Sequence, residues 1–457
     1  MNMKKIYLVS LAFMLLTAAC NDVLEKTPGT SLPVDEAITS VDDLQNAVNG
    51  IYADQATEVG SYGGDFSLFA DLRGSDFQSI SDVNHAGPMY RYQLDKNHSL
   101  VFSFYKVFYV SLARINSVLA ASENLEGDIA NLQGELYAMR ALYHFDLARL
   151  FAKLPTSGDM NGLGIVLSDN VFETNYIGER ATLQATYDFI ISDLNKALPM
   201  LTKDKAQGHI NYWAALGIRA RAYLYLGKYA EALNDCKEII ASSPYKLYSI
   251  DEYLSVWDKE GTNEVMFEIL TTSIYNAQRN SIGYYTHAKG YGECAFTESF
   301  KAEFDARPND IRTQLIAEES DNGYTGFYPQ KYKGRDGQIY VNNPKVIRLS
   351  EVYLIAAECA LKEGNAGEAA QYINTLRKNR ITDYTDVTSV TLDDILMERR
   401  LELFTEGHTA WDYWRNGKSV NNKFAGEIKA DDYRTILPMP MTEINVSGGK
   451  LQQNPNY

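Results

Sequence analysis

Two stretches of this chain carry the same register of small and large residues. In "YWAALGIRARAYLYLGKYAEALNDCKEIIASSP" (212–244), Ala220, Tyr223, Gly227, Tyr229, Ala232, Cys236 and Pro244 fit a helix–turn–helix unit with a period of about 34 residues. Small residues at Ala220 and Ala232 let two antiparallel helices approach, Gly227 makes the turn, and Pro244 stops the second helix. In "YLIAAECALKEGNAGEAAQYINTLRKNR" (353–380) the pattern returns with Ala357, Ala360, Gly364 and Ala369. A unit like this cannot bury its apolar face alone, so it must stack on neighbours around a shared core. Cys236 then takes a core position, as an inert buried thiol.

The register is that of tetratricopeptide pairs, and other segments supply helices to the same stack. Asp42 to Gln55 places Leu44, Val48 and Ile51 on one face, with Ser40 as cap. Ser99 to Leu119 reads as a helix, and so does Leu132 to Ala152, with Leu136, Met139, Tyr143, Leu147 and Leu150 at helical spacing. Thr182 to Leu201 is a further helix, ended by Pro199, and residues 391–415 read as one long helix. Two regions break the pattern. Residues 60–97 are rich in glycine, aspartate and aromatics, and residues 245–345 in glycine, asparagine and tyrosine, with "EVMFEIL" (264–270) alternating like a strand. The expected fold is mainly α: a tetratricopeptide-like scaffold of helical pairs with long irregular inserts and a few short strands. Long irregular stretches in a compact chain are usually functional.

The N-terminus bears on compartment. Lys4 and Lys5, the apolar run Ile6–Leu16 and the small residues Thr17-Ala18-Ala19 have the layout of a signal peptide (1–19). The run is shorter than the roughly 20 residues of a membrane-spanning helix. Small residues directly before Cys20 fit lipoprotein processing, with Cys20 acylated and residues 20–38, broken by Pro28, Gly29 and Pro33, as a tether. Residues 39–245 and 246–457 then form two halves of the folded body. The net charge of −16 repels phosphate backbones, which argues against nucleic acid as a partner. Cys236, Cys294 and Cys359 have no short spacing, so neither a disulfide framework nor a zinc site is expected.

No catalytic signature is present: no H-E-x-x-H, no G-x-S-x-G, no complete P-loop and no EF-hand loop. No metal or cofactor is expected, the six histidines being scattered. In "ERRLELFTEGHTAWDYWR" (398–415), Glu402, Glu406, His408 and Asp412 could be drawn as an acid–base group, with Glu402 and Glu406 on one helical face. Arg399, Arg400 and Arg415 interleave with them, which favours ion pairs between packed helices. The aromatics of the irregular segments, among them Tyr62, Phe66, Tyr90, Tyr92, Tyr284, Tyr285, Tyr291, Tyr324, Phe327 and Tyr328, make the better candidate site.

"KVIRLSEVYLIAAECALKEGN" (345–365), "ILMERRLELFTEGHTAWDYWRNGK" (395–418) and the closing "LPMPMTEIN…LQQNPNY" resemble the C-terminal half of the RagB/SusD family. "CNDVLEKTP", "ADLRGSDFQ", "ELYAMRALYHFDLARLFAKLP" and the pair at 212–244 resemble its N-terminal half. One departure is Thr409, where the family often carries arginine. The resemblance implies a non-catalytic lipoprotein of the bacterial outer membrane, exposed at the surface. Such a protein delivers glycans or peptides to a SusC-like TonB-dependent transporter. By position it points to Arg73, Asp76, Tyr90, Tyr92, Tyr284, Tyr285 and Tyr291 as ligand contacts. Two other readings stand beside it: a secreted α-helical glycoside hydrolase using Asp71 or Asp76, and a tetratricopeptide scaffold with no small ligand.

Overall fold

A computed structural model describes residues 37–57, 61–80, 86–173 and 175–457. The signal peptide, Cys20 and most of the tether lie outside the described residues. Ten helices carry the scaffold. The first six are α1 (Val41–Gln55), α2 (Ser99–Ser122), α3 (Ala130–Phe151), α4 (Leu183–Ala197), α5 (Tyr212–Leu226) and α6 (Tyr229–Ser242). The others are α7 (Leu349–Lys362), α8 (Ala366–Lys378), α9 (Leu392–Leu403) and α10 (Thr409–Arg415). From α3 to α8 each helix packs on the next, so the two repeats named from the sequence are adjacent: α6 lies directly against α7. Residues 243–348 leave the stack between them.

Local chemistry sets the helix ends. The Ser40 hydroxyl accepts the Asp43 N–H at 3.2 Å, and Asn211 accepts the Ala214 N–H at 3.0 Å. Gly227 closes α5 at φ 71°, a left-handed conformation that costs glycine nothing. α3 is buried on almost every face, so its polar groups need partners inside the protein. Arg140 makes a two-pronged bond to Asp193 at 2.7 and 2.8 Å. His144 lies against the Arg140 carbonyl and accepts the Ser168 N–H at 3.0 Å; burial pulls its pKa down to about 3, so it stays neutral.

Residues 391–415 are two helices rather than the one long helix expected. The chain leaves α9 at Phe404, takes positive φ at Thr405 (64°) and Gly407 (78°), and restarts as α10. The Asp71 carboxylate causes the restart by accepting the N–H groups of Gly407, His408 and Thr409 at 2.8, 3.1 and 3.2 Å. Glu402 and Glu406 therefore do not share a helical face. They share cations: Glu402 takes Arg312, Arg348 and Arg380, while Glu406 takes Arg348 and Lys331. All of these side chains are at most 2% exposed. Asp412 pairs with Arg399 and Arg415, and Arg415 also holds Glu358. His408 is buried, and burial together with neighbouring arginines keeps its pKa far below the usual histidine range. This cluster is structural.

Among the described residues, ten short strands accompany the helices. β2 (Leu163–Val166) and β3 (Arg180–Thr182) form a hairpin against α3 and α4. β4 (Val265–Glu268) pairs antiparallel with β8 (Lys345–Arg348) and closes the base of the 243–348 insert. β9 (Val420–Asn422) and β10 (Gly426–Ile428) form a hairpin after α10. The remaining four, β1 (Phe77–Ser79), β5 (Cys294–Phe296), β6 (Ile316–Asp321) and β7 (Tyr324–Pro329), make one antiparallel sheet in the order β1-β5-β7-β6. Cys236, Cys294 and Cys359 are free and buried. No described helix is long and apolar enough to cross a membrane.

Candidate ligand-binding face

The β1–β5 pairing joins the two irregular segments of the sequence. Phe77 stands opposite Phe296 and Ser79 opposite Cys294. Beyond β1, the Ile80 N–H donates to the Glu293 carbonyl at 2.9 Å, and the Ala86 N–H donates to the Glu293 carboxylate at 3.1 Å. Gln78 also donates to the Phe296 carbonyl at 3.1 Å, so the two irregular segments meet here from 218 positions apart.

Tyr284, Tyr285 and Tyr291 form one cluster. The rings of Tyr284 and Tyr291 meet edge-on with centroids 4.8 Å apart, and Tyr285 lies 5.8 Å from Tyr291. Tyr285 turns inward and is 1% exposed, and burial pushes its hydroxyl pKa far up. Tyr284, Tyr291 and Tyr324 stay half-buried, each offering part of its ring to solvent. Glycines permit this packing. A Cβ on Gly292 would stand 3.0 Å from the Tyr324 ring, and one on Gly290 would stand 2.2 Å from the Tyr284 carbonyl oxygen.

Beside the tyrosines lies a cleft of about 450 Å³ lined by His287, Lys289, Glu319, Asp321, Gln330 and Lys333, among others. Glu319 is its fixed point. It lies 3.0 Å from His287 Nδ1 and accepts the Ala288 N–H at 3.0 Å and the Gln330 amide at 2.8 Å. Burial works against its charge, but the bonds from His287 and Gln330 prevail and hold its pKa at about 2. His287 Nε2 lies 3.0 Å from the Tyr332 carbonyl oxygen. Half-exposed aromatic faces next to oriented polar groups can stack on the apolar face of a sugar ring while hydrogen-bonding its hydroxyls. His287, Glu319 and Gln330 escape a sequence reading, because only the fold of the insert brings them together.

The four candidates of the first segment sit differently. Arg73 is 1% exposed, with its guanidinium 3.9 Å from the Tyr92 ring centroid and 5.0 Å from that of Phe69, and it donates to the Arg434 carbonyl. Asp76 is 1% exposed and pairs with Arg400 at 2.5 Å. Tyr90 is 4% exposed, and its carbonyl accepts the Asn422 amide at 3.1 Å. Tyr92 is half-buried and takes a left-handed backbone, φ 58°, with its hydroxyl donating to the Arg73 carbonyl. Arg73, Asp76 and Tyr90 thus hold the segment in place from within, and of the four Tyr92 shows the most surface.

Asp71 and Asp76, the carboxylates of the hydrolase reading, are committed to separate partners. Asp76 is paired with Arg400. Asp71 is fully buried, and besides three backbone N–H groups it accepts the Thr409 hydroxyl at 3.1 Å. Thr409 thus supplies a neutral bond to this carboxylate. Burial outweighs the four bonds and lifts the Asp71 pKa to about 6. Among the described residues no group of three or more His, Cys, Asp and Glu could hold a metal ion.

Comparison with known proteins agrees with the sequence resemblance along both halves of the chain. A family model described as the SusD family matches residues 308–457, and one described as starch-binding and associating with the outer membrane matches residues 22–224. A solved SusD superfamily protein from Bacteroides vulgatus is 31% identical, with a TM-score of 0.86, covering 92% of this chain and 100% of that one. SusD-like protein P2 from Formosa agariphila is 24% identical over 100% of both chains. The surface glycan-binding protein A of Bacteroides thetaiotaomicron, solved with laminarihexaose, shares the fold: 21% identity, a TM-score of 0.74, and coverage of 92% of this chain and 100% of that one.

Proposed function

The chain belongs to the SusD/RagB family of non-catalytic binding proteins, and from that premise we propose that it captures oligosaccharides at the cell surface and passes them to a SusC-like TonB-dependent transporter. The observation that carries the reading is the row of half-buried tyrosines, Tyr284, Tyr291 and Tyr324, beside a polar cleft whose hydrogen-bonding groups are already oriented. Two likenesses support a glycan over a peptide: the family model described as starch-binding, and the shared fold of a protein solved with laminarihexaose. In this reading Cys20 carries the lipid that keeps the protein at the outer membrane, next to the transporter. Tyr284, Tyr291 and Tyr324 touch the ligand, with the exposed part of Tyr92 a further contact, while Arg73, Asp76, Tyr90 and Tyr285 position the backbone that presents them.

The test is a binding panel. Purified protein is titrated calorimetrically with laminarihexaose, maltoheptaose, a fructan oligosaccharide and a peptide digest, and each mixture is then assayed for cleavage products. Saturable binding of at least one oligosaccharide without product, weakened about tenfold by Tyr291→Ala, is the expected result. Product formation, or binding of peptides alone, would overturn the proposal. Cys20→Ala should release the protein from the membrane fraction.

A further inference from the structure

The β9–β10 hairpin carries an aromatic ring that packing does not explain. Phe424 at its tip is 57% exposed, the most exposed phenylalanine among the described residues. Its turn is nonetheless tightly built. Asn422 is 3% exposed and uses one amide oxygen to accept the N–H groups of Phe424 and Ala425 at 2.9 and 2.8 Å. Its amide nitrogen donates to the Tyr90 carbonyl, which fastens the hairpin to the first irregular segment. The Arg91 guanidinium stands 5.4 Å from the Phe424 ring centroid, within cation–π range. Beside the ring, Lys423 Nζ donates to Gln78 Oε1 at 2.6 Å. Gln78 lies on β1 opposite Ala295 of β5, four residues beyond Tyr291 in the chain.

We propose that Phe424 is an outlying stacking platform of the ligand-binding face, taking one pyranose ring of an oligosaccharide whose other end occupies the Tyr284–Tyr291 cluster. This extends the glycan-binding reading above and rests on it. A ring held by a pinned turn loses little freedom when a ligand stacks on it. Phenylalanine has no polar tip, so what it offers a ligand is an apolar face, and the C–H face of a sugar ring is the complementary surface. Beside it the Lys423 ammonium uses one of its three N–H groups on Gln78 and keeps others for a hydroxyl. Phe424 adjoins β1 through Lys423 and Gln78, and Tyr291 stands three residues before β5, so an oligosaccharide that occupies both must be longer than one that occupies either.

The proposal predicts a dependence on chain length. Wild type, Phe424→Ala, Phe424→Trp and Tyr291→Ala are each run by calorimetry against three size ladders, oligosaccharides from laminarin, from starch and from a fructan. Phe424→Ala should leave the shortest bound oligosaccharide unaffected, weaken the longer ones about tenfold and leave the melting temperature unchanged. Phe424→Trp should restore the long-chain affinity. The platform is overturned if Phe424→Ala binds every length as wild type does, or if it loses short and long chains alike. If wild type binds no member of any of the three ladders, the glycan reading falls and the platform falls with it. That outcome is separable from the other two, because it concerns wild type and not the variant.

Discussion

The seam between α6 and α7 and the base of the insert differ in what they bury. Between α6 and α7 the contact is apolar and close, with Ala232, Cys236, Ala356 and Ala360 all fully buried. Residues 243–348 also bring apolar side chains back to the stack, Ile347 and Met266 lying at Gly217 of α5, but they add buried charge. Glu264 binds Arg348 and Arg380, Glu268 binds Lys345, and Glu402 gathers three arginines, all out of contact with water. Apolar packing is tolerant of direction. A buried carboxylate with three cations is not, because each partner must arrive in one geometry or leave a charge unpaired. The stack sets where the insert begins and ends, and the ionic base sets how the insert is oriented.

The sharpest way to break that contrast is Glu402→Gln. Removing one member of a buried ionic network costs about 3–5 kcal/mol, and denaturant unfolding should show a loss of that order. A loss below about 1 kcal/mol would mean that the base is not held by charge. Asp71 gives the next effect, because it ties the first irregular segment to α10 without a cation. Its pKa is raised from 3.8 to about 6 in the folded protein, so the native state binds more protons than the unfolded chain between those values. The stability it contributes is complete below pH 4 and is lost as pH rises through 6. Relative to Asp71→Asn, wild type should therefore lose on the order of 3 kcal/mol from pH 4 to pH 7, and a pH-independent difference would contradict the burial argument. Ala220→Leu tests the stack: overpacking the α5–α6 contact should cost about 1–3 kcal/mol at any pH, as read from the unfolding midpoint. Tyr291→Ala should be the mildest, shifting stability by less than about 1 kcal/mol. A larger loss would place Tyr291 in the framework and not on the binding face.

The stack was legible because its signals are local. Ala220, Gly227, Ala232 and Pro244 each constrain a neighbour within a few residues, and the observed helix ends fall within a residue or two of Gly227 and Pro244. The break at Phe404–His408 was not legible, since what restarts the chain is the carboxylate of Asp71, more than 300 residues away. The β6–β7 hairpin lies between these cases. Asn322 and Gly323 take the positive φ values, 49° and 82°, that a tight turn needs, so its signal was present but lost in a segment read as irregular. At the candidate site, residue type identified the tyrosines as suited to ligand contact. It could not show that Arg73 would be enclosed by Tyr92 and Phe69 or that Asp76 would be spent on Arg400, since those partners come from other elements.

The position of the insert has a consequence for how the molecule assembles. α6 ends at Ser242 and its neighbour α7 begins at Leu349. The apolar seam between them is a long-range contact, and forming it means closing a loop of roughly 100 residues, at an entropic cost that grows only with the logarithm of its length. Stability therefore suffers little from a long excursion, but speed does, because contacts distant in sequence form late. Until α7 arrives, α6 shows the bare face it will bury, and a half-made chain is adhesive there. Pulse-labelled hydrogen exchange should find α5 and α6 paired with each other before α6 is protected on its α7 side. A shorter insert should hasten that second step more than it raises the final stability.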